Sequence, residues 1–131
     1  TVEQDIYFAA TTGLIDFRAG RLQEGRDSYQ VAIMLARDAR AIDVEIHATI
    51  HWLYEEVSAG ALDNTTAIEL MQKLRSVIEK SPACPRSTLD VADSVISRLK
   101  EGLAMSPQTD ALDVASYIAE LLKRREEGDF Y

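Results

Sequence analysis

Four side chains spaced four residues apart, Asp43, His47, His51 and Glu55, form the most site-like pattern in the sequence. Residues four apart share one face of a helix, so the two imidazoles could hold one metal ion, with Asp43 or Glu55 completing its shell. The gaps differ from the His-Glu-x-x-His pattern of zinc proteases, in which a general base lies between the two ligands. A tetrahedral site would also need a ligand from another helix, and the chain contains only these two histidines. The pattern therefore reads first as a solvated helix face. A small metal-binding helical bundle built on these four residues is the lesser alternative, and no metal is expected.

Other candidate chemistry is sparser. Cys84 sits between Pro82 and Pro85 with no histidine nearby in sequence, so a thiolate nucleophile is not expected. As the only cysteine it cannot form an internal disulfide, which fits a reducing compartment and a cytoplasmic location. Gly20 and Gly25 are not followed by the Gly-Lys-Ser/Thr of a phosphate loop. Glu55-Glu56 and Glu126-Glu127 are adjacent pairs that point about 100° apart on a helix and do not converge. No catalytic residue and no cofactor are predicted. The single tryptophan, Trp52, reads as core. Six acidic residues and no Lys or Arg lie between Ala41 and Gln72, a band that reads as a solvated face able to steer a basic partner. Arg18, Arg21, Arg26, Arg37 and Arg40 cluster nearer the start. Glu24, Asp27 and Asp38 interleave with them, which argues against a phosphate-binding patch.

The elements that must position these groups are helices. Val2, Ile6, Ala9, Gly13 and Phe17 recur at three- and four-residue steps over 2–18, and Tyr7, Ala10 and Leu14 add a second apolar stripe. Ala19-Gly20 ends this stretch. Leu22, Tyr29, Ala32, Ile33 and Ala36 mark a second helix over 22–40. Ile42, Ile46, Thr49, Ile50, Leu53 and Val57 mark a third over 42–58, closed by Ala59-Gly60. Asp63 or Asn64 caps a fourth, with Ile68, Met71, Leu74, Val77 and Ile78 inward as far as about 80. Pro82 and Pro85 break the chain. Ser87-Thr88-Leu89-Asp90 resembles a capping box ahead of Leu89, Ala92, Val95, Ile96, Leu99 and Leu103. Ser106-Pro107 starts the last helix, with Ala111, Val114, Ala115, Ile118, Leu121 and Leu122 inward. Period-two alternation is absent, so no strands are predicted, and short connections make sequential helices antiparallel neighbours.

Composition supports a folded domain. The 131 residues are 47% hydrophobic and 27% charged, which argues against wholesale disorder. Fourteen basic against 22 acidic residues give a formal charge of −8, which disfavours nucleic acid and anionic membrane surfaces. No apolar run approaches the roughly 18 residues of a membrane helix.

The segment from Ala9 to Ile33 resembles a tetratricopeptide repeat. Gly13 stands at the close crossing in the first helix, Phe17 near its end and Gly20 at the turn; Gly25, Tyr29 and Ala32 follow on the second helix. The likeness covers about 7–37. The second hairpin has Leu53 where the small residue belongs, and the third keeps only the two-helix shape. The resemblance implies an all-α domain of three antiparallel hairpins, about 2–40, 42–80 and 87–127, stacked as a short α-α superhelix, and expected to be part of a longer protein. It further implies a concave face that binds another protein or a peptide segment. The matching positions are Tyr7, Leu14, Arg18, His47, Ile50, His51 and Tyr54, with Ala10 beside them. Tyr7-Phe8 leaves an apolar flank on the first helix, so a homodimer through that helix is the alternative.

Overall fold

The computed structural model describes residues 1–102 and 112–126. The predicted positions Leu103, Ser106, Pro107, Ala111, Glu127 and Gly128 lie outside the described residues. Six helices follow one another: α1 (Val2–Arg18), α2 (Leu22–Asp38), α3 (Ile42–Ser58), α4 (Asn64–Lys80), α5 (Arg86–Glu101) and α6 (Leu112–Glu126). No strand occurs among the described residues, and none of their helices is long and apolar enough to cross a membrane.

The first three helices are each 17 residues long and end in the same turn. Ala19, Ala39 and Ala59 cap them, and the next residue takes a left-handed conformation: Gly20 at φ 84°, Arg40 at 57° and Gly60 at 79°. The amide after each turn residue donates back across the helix end, Arg21 to Asp16, Ala41 to Ala36 and Ala61 to Glu56, at 2.8 to 2.9 Å. This pattern ties off carbonyls that the helix end would otherwise leave bare. Glycine adopts the left-handed conformation freely; Arg40 does so at a steric cost. At the start of α1, Thr1 and Gln4 form a reciprocal capping box. Asp63 caps α4 as expected, accepting from the Thr66 amide at 3.0 Å. The predicted Ser87 capping box does not form. Pro85 is the cap residue and α5 begins at Arg86, placing Ser87 and Asp90 inside the first turns.

Packing centres on α3, which touches all five other helices. The most extensive contact joins α1 to α2. It passes through two glycines. A Cβ on Gly13 would stand 2.8 Å from the Tyr29 ring, and one on Gly25 would stand 2.5 Å from the Phe17 ring, each also 3.1 Å from the other glycine's carbonyl oxygen. The close crossing predicted for these residues is therefore present, made possible by the missing side chains. Later pairings differ from the simple hairpin order. α4 packs more extensively on α5 than on α3, and among the described residues α6 packs on α4 and α3 in place of the expected contact with α5.

The core runs from Ile6, Phe17 and Tyr29 through Ile46, Trp52 and Leu53 to Met71, Leu74, Leu99, Ile118 and Leu121. Trp52 is fully buried, as predicted. Tyr29 stacks on it with ring centroids 6.4 Å apart, and Tyr117 of α6 meets it edge-on at 5.6 Å.

Candidate functional site

The acidic band does not lie on a solvated face as a whole. Glu45 and Glu56 are fully buried and Glu55 nearly so. The reason is visible in the register of α2 and α3. Arg26 and Arg37 are eleven residues apart, and so are Glu45 and Glu56. Eleven residues are close to three helical turns, about 16 Å, so each pair keeps one face. In antiparallel helices the pairs then meet end to end. Arg26 grips Glu56 through two bonds of 2.8 and 3.0 Å. Arg37 donates to Glu45 Oε2 at 3.0 and 3.3 Å. Arg124 of α6 joins it on Glu45 at 2.8 Å, and the Trp52 indole N–H donates to Glu56 at 3.0 Å. Of the arginines clustered around the first hairpin, Arg18, Arg26 and Arg37 thus serve partners on α3, whereas Arg21 pairs with Asp16 of α1. The signal available in the sequence was that Glu45, Trp52 and Glu56 share one helical stripe.

The most exposed large apolar side chains lie on α1, with Val31 and Met34 of α2 less so. Tyr7 is 76% accessible, Phe8 73% and Ile15 56%. Phe8 and Ile15 are seven residues apart and share a face, with Tyr7 beside them. Tyr7, Phe8, Gln4 and Thr11 line a shallow depression at the start of α1. A second depression lies at the other end of the helix, walled by Phe17, Arg18, Leu22, Tyr54, Glu55 and Ser58. The two lie along one helix edge, about 16 Å apart by the helical rise from Tyr7 to Arg18.

The predicted contact residues divide accordingly. Arg18 and Tyr54 come together in the second depression. Tyr7 stands at the first. Leu14 is half-buried between them. His47 turns toward α5, its Nε2 3.1 Å from Thr88 Oγ1. His51 lies on the surface. Ile50 must be withdrawn as a contact residue, because it is completely buried in the core. Phe8 belongs to the exposed face, as the apolar flank read from Tyr7-Phe8 implies, and Ile15 extends that face and was missed. Partial desolvation lowers the affinity of His47 and His51 for a proton, and for His51 the nearby His47 adds to it.

The four-residue metal pattern does not assemble. Glu55 pairs with Arg18 and His47 meets Thr88, and among the described residues no three His, Cys, Asp or Glu side chains converge on one point. Burial raises the Cys84 thiol above its ordinary range, which keeps it protonated and a poor nucleophile.

Fold and site together define an all-α domain with an exposed apolar and aromatic face on its first helix. No family model matches the chain, and no curated protein or solved structure matches it.

Proposed function

We propose that this domain is a protein-interaction module, without catalytic activity, that docks a segment of another protein along α1 and into the depression between the ends of α1 and α3. The observation that carries this reading is the set Tyr7, Phe8 and Ile15, three large apolar side chains left more than half exposed on one helix edge. Aromatic side chains are enriched in protein interfaces, and tyrosine is among the residues that carry most of the binding energy there. The tetratricopeptide-like arrangement is part of the proposal for α1 to α5. It is supported by the glycine crossing of α1 on α2 and by the contacts that α3 makes with both α1 and α5.

The test is a selection from a displayed random-peptide library on the purified domain, followed by affinity measurement on a Tyr7→Ala, Phe8→Ala, Ile15→Ala variant. These side chains are exposed, so the fold does not depend on them. Selected peptides are expected to lose about tenfold or more in affinity for the variant. Failure to enrich any peptide, or equal binding by both proteins, would overturn the reading. The same face favours self-association as a second reading. A dimer in sedimentation experiments that Tyr7→Glu dissociates would place a second copy of the chain there.

A further inference from the structure

The three buried glutamates of α3 are held very unequally. Glu45 receives donors from two arginines on two different helices. Glu56 receives a two-pronged arginine and an indole N–H. Glu55 is 5% exposed, yet its one ion pair is a 3.5 Å contact between Oε1 and Nε of Arg18, whose side chain is 68% exposed. A buried carboxylate ordinarily gathers several charge-assisted donors, because desolvation of the ion must be offset. A single long contact from an exposed surface arginine offsets little.

A second observation concerns the end of the helix itself. In α1, α2, α4, α5 and α6 the last turn carries a basic residue; in α3 it carries none, and Glu55 lies there instead. The negative end of the α3 dipole is therefore reinforced by a carboxylate where the other helices place a cation. Glu55 contributes to a depression whose walls include Phe17, Leu22 and Tyr54. An apolar patch beside a buried anion suits a side chain that has an aliphatic stem and a cationic head.

We infer that Glu55 is the receptor for a lysine or arginine side chain of the docked segment, whose stem lies on Phe17, Leu22 and Tyr54 and whose head replaces Arg18 on the carboxylate. This inference rests on the docking reading and adds to it the chemistry that the groove selects.

The probe is n-butylguanidinium chloride, titrated into the full isotope-labelled chain and followed by amide chemical shifts. Saturable shifts are expected around Phe17–Leu22 and Tyr54–Ala61. Glu55→Gln should weaken binding about tenfold or more, the loss of one charge-assisted contact. Arg18→Ala removes the resident competitor and should tighten it, a gain that damage to the fold cannot imitate. Absence of saturable shifts, unchanged binding by Glu55→Gln, or weaker binding by Arg18→Ala would each overturn the inference. The result is separable from the docking test: if peptide selection fails while the guanidinium still saturates at Glu55, the docking reading falls and the cation site stands.

Discussion

The α1–α2 seam and the junction of α3 with α2 and α6 solve the same problem by opposite means. At the seam, two helices approach closely because side chains are absent at Gly13 and Gly25, and the Phe17 and Tyr29 rings fill the space beside them. The contact is steric and apolar. At the junction, side chains are long and charged. Arg37 and Arg124 converge on Glu45, Arg37 also reaches Glu120 at 3.1 Å, and its guanidinium lies 5.7 Å from the Tyr117 ring centre. The comparison teaches that a helix can be anchored by what is missing or by what is paired. The two anchors should fail differently: a seam tolerates no added atom, whereas a junction tolerates no removed charge.

The largest effect is expected at the junction. Glu45→Ala leaves two arginines facing a buried, empty position and should cost about 3–5 kcal/mol in urea unfolding. Converting Arg37 and Arg124 to Met in the same chain should recover much of that loss, since it strands no buried charge and leaves only the half-exposed Glu120 without Arg37. No recovery would mean that packing, not charge, sets the cost. The seam comes next. Gly25→Ala should cost about 1–3 kcal/mol by overpacking against Phe17, and a Phe17→Leu change in that background should couple favourably in a double-mutant cycle. Additive costs would break the steric account.

Smaller effects belong to the turns. Nothing lies near a Cβ built on Gly60, so Gly60→Ala should cost only the left-handed backbone penalty, about 1 kcal/mol. Arg40→Gly should shift the thermal midpoint upward, by relieving the same penalty. The smallest is a pH response. The folded chain holds His47 below the ordinary imidazole value of about 6.5. As pH falls through that value, the unfolded chain binds a proton that the folded chain refuses, so stability declines until the lower folded value is reached. The gap between urea midpoints at neutral and mildly acidic pH should therefore narrow when His47 is replaced by Gln, leaving the part that His51 contributes.

All six helices could be read from the sequence, because apolar spacing records each residue's angle about its own axis. The glycine crossing was equally readable, since Gly13, Phe17, Gly25 and Tyr29 lie within one short hairpin. The junction was not. The spacing of Glu45 and Glu56 shows that they share a stripe with Trp52, but it does not show that arginines from another helix lie opposite. Arg124 is 79 residues away from Glu45, beyond any local pattern. Arg40 hid the middle member of the three matched turns, because glycine is the residue by which such turns are recognised. Ile50 was misjudged and Ile15 overlooked for one reason. An apolar side chain on a helix apolar on several sides can face the core or the solvent, and only the packing of neighbours decides.

Trp52 gives the molecule an optical handle. It is the only indole in the chain, lies flat on Tyr29 at an interplanar angle of 3°, and touches α6 through Tyr117. Its emission therefore comes from one place, the meeting point of three helices. Departure of α6 would admit water to one edge of the ring and move that emission toward the red while the stack with Tyr29 persisted. Opening between α2 and α3 would disturb the stack itself. The wavelength and intensity of a single unlabelled fluorophore can thus tell a local undocking from a general loss of structure.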